Sequence, residues 1–248
     1  MLNFPKSHPV IISDIDNTLL GDADGLNEFL AYLADRSFSF GIATGRRLDS
    51  AISVLEEWHV IPDIFITSVG SEIYYGPDLE RDNDWINSIN YRWEPEKLRK
   101  VLASFEGLQL QPDIEQREFK VSFFVEQAFE QSLPKLERYL QQNNLLANVI
   151  YSHGQFLDLL PIRASKGLAI RHLAHQWGLP MRQFLVAGDS GNDEEMLTSD
   201  ALGVVVGNYS SELEKLKGKQ DIYFAKAHYA LGLLEGIKSF NFLKGANE

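Results

Sequence analysis

Two aspartates separated by one residue follow a short apolar segment near the start of the chain. Residues Val10-Ile11-Ile12-Ser13 are typical of a buried parallel strand, and Asp14 and Asp16 come directly after them. A carboxylate held beside a phosphorus atom can attack it in line and form an aspartyl phosphate. A second carboxylate two residues later can act as acid for the leaving oxygen and then as base for the hydrolytic water. Unless both are ordinary turn residues, the pair indicates phosphoryl transfer, with Asp14 as nucleophile and Asp16 as general acid and base.

Two further polar segments follow predicted strands much later in the chain. Thr44-Gly45-Arg46 comes after one of them, and Gly188-Asp189-Ser190-Gly191-Asn192-Asp193 comes after another. Each segment taken alone is also compatible with a simple turn or helix start. The carboxyl ends of parallel strands meet at one edge of a sheet, where the ligands of open α/β sheets bind. The occurrence of all three segments after strands therefore favours a common site.

The acidic residues of these segments are candidate ligands for Mg²⁺. This ion prefers oxygen ligands in octahedral geometry, supplied by a few carboxylates, waters and a substrate phosphate. It would also let an anionic nucleophile approach an anionic phosphoryl group. The candidate metal ligands are Asp14, Asp16, Asp189 and Asp193.

A phosphoryl group in transfer also needs hydrogen-bond donors and positive charge on its oxygens. The Thr44 hydroxyl, the Gly45 amide and the Asn192 side chain are candidate donors. Lys166 could supply an ammonium group, because it opens a predicted helix where the chain returns to the sheet. Most lysines are solvated surface residues, so only this position distinguishes Lys166.

The elements that carry these residues alternate between strands and helices. This order predicts an α/β fold with a Rossmann-like parallel sheet and right-handed crossovers. The predicted strands cover residues 10–13, 38–44, 64–69, 184–187, 201–206 and 222–225, and the predicted helices cover residues 25–35, 48–58, 167–177, 193–197 and 229–240.

The middle of the chain departs from this alternation. Its predicted helices and strands follow the order αββαββ, which indicates an antiparallel sheet with helices on one face. The predicted elements cover residues 95–105, 108–110, 119–125, 129–142, 148–152 and 156–160, and a tight turn is predicted at His153-Gly154-Gln155. We therefore predict a core domain of residues 1–80 and 159–248 with an inserted α+β cap of residues 81–158.

Composition limits the classes of partner. The chain has 248 residues, a formal net charge of −12 and no cysteine, which excludes disulfides and cysteine nucleophiles. Binding to nucleic acid needs a concentrated basic surface, and no run of Lys and Arg occurs, so we expect no nucleic-acid partner. No apolar segment is long enough to cross a bilayer, and residues 1–9 do not resemble a secretory signal. We therefore expect a cytoplasmic protein without a membrane partner.

The motifs around Asp14, Thr44, Lys166 and Asp189 together resemble the four motifs of the haloacid dehalogenase (HAD) superfamily phosphatases. The resemblance implies a Rossmann-like core with a cap. It makes Asp14 the nucleophile, and it makes Asp16 the general acid and base and, through its backbone carbonyl, a metal ligand. The acids of the fourth motif would hold Mg²⁺.

The predicted cap is similar to that of the type IIB subgroup, and residues 67–74 and 157–161 resemble the sucrose-phosphate phosphatases and the related domain of sucrose-phosphate synthase. One difference is Ser165, because such relatives often carry Asn before the lysine. The resemblance implies a disaccharide phosphate substrate, sucrose 6-phosphate first. Glu72 could accept hydrogen bonds from sugar hydroxyls, and Lys120, His153 and Asp158 could contact the sugar from the cap, although each is also compatible with a turn, surface or sheet-edge role.

Three alternatives remain open on the sequence alone. The same chemistry could act on another glycosyl phosphate, such as mannosylfructose phosphate. The chain could instead be a phosphatase-like domain or partner of sucrose-phosphate synthase with a binding or regulatory role. A phosphomutase would also use an aspartyl phosphate, and only an assay with a bisphosphate activator would distinguish it.

Overall fold

The computed structural model describes residues 9–34, 38–126 and 128–243. Within these residues the strands are β1 (Val10–Ser13), β2 (Ser39–Ala43), β3 (Ile64–Thr67), β4 (Glu72–Tyr75), β5 (Glu80–Arg81), β6 (Leu108–Leu110), β7 (Val121–Val125), β8 (Asn148–Ser152), β9 (Phe156–Leu160), β10 (Phe184–Gly188), β11 (Leu202–Val205) and β12 (Ile222–Phe224). The α-helices are α1 (Ala23–Leu33), α2 (Leu48–Glu57), α3 (Asn83–Ile89), α4 (Pro95–Leu102), α5 (Leu133–Gln142), α6 (Lys166–Trp177), α7 (Glu194–Leu197) and α8 (Tyr229–Ser239).

The larger sheet has the strand order β12-β11-β10-β1-β2-β3-β4-β5. The strands from β12 to β3 are parallel, and Val10 of β1 pairs with Phe184 of β10 on one side and with Ser39 of β2 on the other. The predicted Rossmann-like α/β core is therefore confirmed. Because β1 lies in the middle of the sheet, the loop that follows it is adjacent to the loops that follow β2 and β10.

The antiparallel edge of this sheet was not predicted. Strands β4 and β5 continue the sheet beyond β3 in antiparallel orientation. The predicted strand over residues 64–69 ends at Thr67 because Ser68, Val69 and Gly70 all have positive φ angles, of 52°, 60° and 94°. Extended backbone cannot continue through such a left-handed segment. The run Ile73-Tyr74-Tyr75 before a Gly-Pro turn was the signal for the missed strand.

Both faces of the parallel sheet are covered by helices. Ile12 of β1 packs into a core with Ile170 and Leu173 of α6 on one face. Ile11, the preceding residue, packs on the opposite face into a core with Phe29 of α1 and with residues of α2 and α8. Alternate residues of β1 thus enter two different cores, which is why the strand is apolar throughout rather than alternating. A strand buried on both faces holds the adjacent Asp14 in a fixed position.

The smaller sheet has the order β6-β7-β9-β8 and is antiparallel throughout. Leu98 of α4 and Leu136 of α5 pack with Phe123 and Leu157 of the sheet, so both helices cover the same face. The predicted αββαββ order is confirmed. The turn between β8 and β9 includes His153, with φ 54°, and Gly154, with φ 68°.

The predicted domain limits of 1–80 with 159–248 and of 81–158 remain a proposal, and the pairing of the strands suggests an adjustment. Arg81 pairs with Tyr74 in the larger sheet, and Trp85 of α3 is buried in that sheet's core. Leu159 pairs with Val121 in the smaller sheet. We propose that the chain passes to the cap after α3 and returns at the end of β9.

Helix α1 begins at Ala23, slightly before its predicted start, because the Asp22 carboxylate accepts a hydrogen bond from the Gly25 amide at 2.9 Å and caps the helix. Asp35, the predicted end of this helix, lies outside the described residues. Residues 1–8, part of the segment predicted to lack a secretory signal, also lie outside them. Among the described helices, none combines the length and the hydropathy required to span a bilayer.

Candidate active site

Asp14 lies at the carboxyl end of β1, next to the corresponding end of β10. Its backbone amide donates to the carbonyl of Ala187 at 2.9 Å, which extends the sheet pairing by one residue. Only 5% of the Asp14 surface is exposed. The carboxylate is therefore held by the sheet itself, with little freedom to move.

The Lys166 ammonium connects three parts of the site. It donates to Asp14 Oδ1 at 2.7 Å, to Asn192 Oδ1 at 2.8 Å and to Asp193 Oδ1 at 2.6 Å. Lys166 is fully buried, and a buried ammonium is stable only when carboxylates or other acceptors compensate for the lost water. All three of its protons have an acceptor, so the ammonium orients Asp14 rather than mediating solvent contact.

Ser165, immediately before Lys166, is where the sequence differs from the pattern that the resemblance implies. Its hydroxyl accepts a hydrogen bond from the Leu168 amide at 3.0 Å and caps α6. Ser and Asn are both good N-cap residues, so this substitution preserves the start of the helix that carries Lys166.

Asp189 and Asp193 differ in what their carboxylates contact. Thr18 donates its hydroxyl proton to Asp189 Oδ1 at 3.0 Å. Asp193 Oδ2 accepts the backbone amides of Asp189 and Ser190 at 2.9 and 3.1 Å, while its Oδ1 accepts from Lys166. Both carboxylate oxygens of Asp193 thus accept hydrogen bonds from the protein. Asp193 therefore holds Lys166 in place and also fixes the loop after β10, residues 189–193, which is called the acidic loop below.

Three carboxylates form a cluster that could hold a cation. Oxygen atoms of Asp14, Asp189 and Asp193 all lie within 4.8 Å of one another, and all three residues are buried. Lys166 forms ion pairs with Asp14 and Asp193, so among these described residues three carboxyl groups share one ammonium group. The hard oxygen donors and the uncompensated negative charge both fit a divalent cation such as Mg²⁺.

The pKa values of these groups reflect the same excess of negative charge. Burial raises the pKa of Asp14 well above its ordinary value, Lys166 opposes this shift, and Asp193 and Asp189 reinforce it. Burial, reinforced by Asp193, raises the pKa of Asp189 to about 7. Burial alone would lower the pKa of Lys166, but its contacts with Asp14 and Asp193 outweigh burial and raise it.

Asp16 points its carboxylate at Arg46, the third residue of the Thr44-Gly45-Arg46 segment. Arg46 donates from Nε to Asp16 Oδ2 at 2.7 Å and from a terminal nitrogen to Oδ1 at 2.6 Å, a bidentate ion pair. The pair is partly exposed, with 44% of the Asp16 side chain and 34% of the Arg46 side chain accessible. The sequence did not single out Arg46 for this role, although its place beside Thr44 was visible.

Thr44, Gly45 and Asn192 lie near the same loops. Thr44 is fully buried, and its hydroxyl oxygen accepts the Arg46 amide at 3.1 Å. Gly45 and Asn192 line a cavity of about 220 Å³ together with Asp14 and Asp16. A side chain at Gly45 would approach the Asn192 amide nitrogen at 3.8 Å, so both proposed phosphate ligands border the same space.

The smaller sheet forms the opposite wall of this cavity. Lys120, His153 and Asp158 all line it, so the structure brings these three predicted cap residues to face Asp14. Lys120 Nζ lies 3.5 Å from Asp158 Oδ1, which also accepts from the Ser122 hydroxyl at 2.5 Å. The sequence did not predict the remaining cavity residues from this side. Ser152 and Phe156 lie at the ends of β8 and β9, and Gln111 and Glu115 lie in the segment between β6 and β7, where no periodic pattern indicates them.

Glu72 does not line the cavity that contains Asp14. It borders a separate cavity of about 620 Å³ with Arg81, Arg99 and Arg117. Its carboxylate accepts from the Ser68 hydroxyl at 2.9 Å, and the residue is buried. The expected contact between Glu72 and a sugar bound above Asp14 therefore remains a prediction that this arrangement does not favour.

Gly70 provides close contact between the left-handed segment after β3 and the start of α6. A Cβ atom built on Gly70 would lie 2.2 Å from the carbonyl carbon of Ser165 and 2.4 Å from the amide of Lys166. These are backbone atoms at the start of the helix that carries the ammonium, and they cannot rotate away. Gly70 thus sets the position of Lys166 through backbone packing.

We expect Gly70→Ala to destabilise the protein by about 3 kcal/mol or more, because it combines a positive φ with a backbone clash. Gly178→Ala is the matched control. Gly178 has a φ of +65°, and a Cβ atom built there would meet no other atom within 4 Å, so its substitution is expected to cost about 1 kcal/mol. Urea denaturation of both variants measures the difference. Equal losses would contradict the packing of Gly70 on Lys166.

The parallel α/β sheet, the inserted αββαββ unit and the acidic loops after β1 and β10 together define the fold of the haloacid dehalogenase superfamily. A family model described as sucrose-6F-phosphate phosphohydrolase matches residues 7–241. The chain belongs to this family.

Individual relatives agree with this assignment. The chain is 34% identical over 252 residues to probable sucrose-phosphatase 2 of Arabidopsis thaliana, a match that covers 93% of this chain but 59% of the plant protein. It is 29% identical over 236 residues to mannosylfructose-phosphate phosphatase of Agrobacterium fabrum, covering 92% of this chain and 95% of that protein. The solved structure of the sucrose-phosphatase of Synechocystis sp. PCC6803, in complex with sucrose and phosphate, is similar with a TM-score of 0.89 at 35% identity, covering 94% of this chain and 98% of that one.

Proposed function

We propose that this chain is a Mg²⁺-dependent phosphatase that hydrolyses a sugar-phosphate monoester, sucrose 6-phosphate first. The observation that carries the proposal is the buried Lys166 ammonium shared by Asp14, Asn192 and Asp193 beside a cavity walled by the smaller sheet. Burying a lysine and a carboxylate at the edge of a cavity costs desolvation free energy, so stability alone does not explain this ion pair. It is useful where that carboxylate must meet the negative charge of a phosphoryl group.

The first step is attack by the Asp14 carboxylate on the phosphorus atom. The bond between phosphorus and the ester oxygen breaks, the sugar oxygen takes a proton from Asp16, and the phosphoryl group stays on Asp14 as an aspartyl phosphate. Because Arg46 holds both oxygens of Asp16, this pair must loosen before Asp16 can carry the proton. Asp16 then accepts a proton from the water that attacks phosphorus, which releases phosphate and restores Asp14.

The remaining residues orient the phosphoryl group and the metal. Asn192 and the Gly45 amide are proposed to donate to the phosphoryl oxygens, with Thr44 supporting their loop. Lys166 would also donate there by exchanging its bond to Asn192 Oδ1 for one to a phosphoryl oxygen. Asp14 and Asp189 would hold Mg²⁺ through carboxylate oxygens, and Asp16 through its backbone carbonyl. The ion supplies positive charge that lets a carboxylate approach an anionic phosphoryl group. Asp193, with both oxygens in use, is proposed to position Lys166 rather than to bind metal directly.

The polar wall across the cavity supports a sugar as the leaving group. Lys120, His153 and Asp158 present an ammonium, an imidazole and a carboxylate to the space above Asp14, and such groups hydrogen-bond readily to hydroxyls. The names of the plant and cyanobacterial relatives favour sucrose 6-phosphate. The name of the Agrobacterium relative favours mannosylfructose phosphate as a second candidate.

A non-catalytic role, as a domain or partner of sucrose-phosphate synthase, is the alternative of a different class. It would tolerate loss of the nucleophile, whereas Asp14, Asp16, Lys166 and Asp189 are all present. We therefore keep the synthase as a candidate partner and place catalysis first.

A panel of sugar phosphates assayed with Mg²⁺ tests the proposal. We expect sucrose 6-phosphate to give a kcat/KM at least about tenfold above that of glucose 6-phosphate, because a site that hydrogen-bonds a second sugar ring loses those bonds with the smaller substrate. EDTA should reduce the rate by about 100-fold or more, and excess Mg²⁺ should restore it. Preference for mannosylfructose phosphate would select the second candidate, and release that EDTA leaves unchanged would overturn the metal assignment.

A further inference from the structure

Glu212 joins two loops that belong to different sheets. It lies in the short 3₁₀ helix Ser211–Leu216 that follows β11. Its Oε2 accepts the amide of Gly191, in the acidic loop after β10, at 2.7 Å. Its Oε1 accepts the amide of Gly154, in the turn between β8 and β9, at 3.3 Å. One carboxylate therefore connects the loop that carries Asp189 to the smaller sheet.

The backbones of the two sheets touch at the same place. A Cβ atom built on Gly191 would lie 2.5 Å from the carbonyl oxygen of Tyr151 in β8 and 2.7 Å from Glu212 Oε2. Only glycine permits this approach, because the nearest atoms include backbone that cannot move aside. The smaller sheet thus rests directly on the acidic loop, with the Glu212 carboxylate beside the contact.

The segment before Glu212 is itself fixed to the acidic loop. The Ser210 amide donates to the Asp189 carbonyl at 2.7 Å, and the Ser210 hydroxyl accepts the Glu212 amide at 3.4 Å. The backbone of the Glu212 segment is therefore attached to the loop that carries Asp189, whereas only the side chain of Glu212 reaches Gly154 of the smaller sheet. Its bond to Gly154 is the part of the arrangement that a movement of the smaller sheet would break.

The chain neighbours of Gly154 and Gly191 line the cavity that contains Asp14. His153 precedes Gly154 and Asn192 follows Gly191, and both border the space above Asp14. We propose that Glu212 is a positioning residue that holds the smaller sheet against the acidic loop. It thereby fixes the distance between the two walls of the cavity, both of which a bound sugar phosphate must contact. This inference rests on the proposed function and deepens it, since Glu212 does not line that cavity and would act only through its two amide partners.

Glu212→Gln separates the two contacts. The glutamine side chain has the same shape, and its single oxygen can keep the shorter bond to the Gly191 amide. Its NH₂ group then faces the Gly154 amide, so two donors meet and that bond is lost. Glu214→Gln is the matched control, because Glu214 lies on the same 3₁₀ helix, is exposed, and contacts Lys217 and Tyr209 instead.

Kinetics with a large and a small substrate give the first readout. For Glu212→Gln we expect the KM for sucrose 6-phosphate to rise about tenfold, the usual effect of losing a charge-assisted hydrogen bond. The kcat/KM for p-nitrophenyl phosphate, which needs no contact with the smaller sheet, should stay within about twofold. Glu214→Gln should change neither. Equal losses on both substrates, or no change with sucrose 6-phosphate, would overturn the inference.

Amide hydrogen exchange gives a second readout that does not depend on the identity of the substrate. Without ligand, the peptide covering residues 151–156 should exchange about tenfold faster in Glu212→Gln than in the wild type or in Glu214→Gln. Failure of the wild type to hydrolyse sucrose 6-phosphate would count against the proposed function alone. Unchanged exchange of this peptide in Glu212→Gln would then refute the positioning role.

Discussion

Asp14→Asn is expected to lower kcat for phosphate release from sucrose 6-phosphate by at least about 10⁴-fold, because an amide oxygen cannot displace the sugar and form an aspartyl phosphate. The substitution keeps the shape of the side chain and an oxygen for the Lys166 ammonium, so the fold should persist. Phosphate release under saturating Mg²⁺, together with circular dichroism and a thermal melt, measures both quantities.

Asp24→Asn provides the control for the Asp14 variant, because Asp24 is an exposed residue in the first turn of α1. Its rate should match that of the wild type within about twofold, as is usual for surface substitutions. If wild type and Asp14→Asn release phosphate equally slowly, the catalytic interpretation fails and the binding role beside sucrose-phosphate synthase becomes the better account.

Lys166→Met is expected to have the second large effect. Its kcat should fall by about 10³-fold, because the positive charge of Lys166 no longer stabilises the phosphoryl group during transfer. The variant also leaves the Asp14 and Asp193 carboxylates buried without their ammonium partner. Breaking a buried ion pair in this way should lower the free energy of unfolding by about 3–5 kcal/mol. Steady-state kinetics and urea denaturation measure the two losses independently.

A double variant distinguishes the electrostatic explanation for Lys166 from simple loss of packing. Asp14→Asn combined with Lys166→Met removes one of the two stranded charges, so it should be more stable than Lys166→Met alone. Lys100→Met, at an exposed position of α4, should leave both rate and stability near those of the wild type. A double variant as unstable as Lys166→Met would show that charge compensation is not what Lys166 provides.

The sequence was sufficient to predict the assembly of the site from distant segments. Asp14, Thr44 and Asp189 are far apart in the chain, yet each follows a strand, and β1, β2 and β10 are neighbours in one parallel sheet. The rule that such strands present their carboxyl ends at one edge converts this order into proximity. The αββαββ insert was equally accessible, because its elements have clear local periodicity.

The contacts between side chains could not be obtained in this way. Residue types allowed Asp193 to be a metal ligand, but only distances reveal that both its oxygens accept hydrogen bonds from protein donors. The bidentate pairing of Arg46 with Asp16 and the cavity that Glu72 borders depend on which way each side chain turns. Glu212 is separated from Gly154 by 58 positions, and no local pattern connects them.

Chemical trapping of the aspartyl phosphate tests the central claim most directly. With p-nitrophenyl phosphate and Mg²⁺, Asp16→Ala should still form the aspartyl phosphate, because nitrophenolate leaves without needing a proton. The variant should also retain this intermediate, because no base activates the hydrolytic water. Reduction with borohydride converts an acyl phosphate to an alcohol, and peptide mass spectrometry then locates the product. We predict homoserine at position 14. Reduced product at any other carboxylate, or none at position 14 while nitrophenolate is released in a burst, would contradict the account.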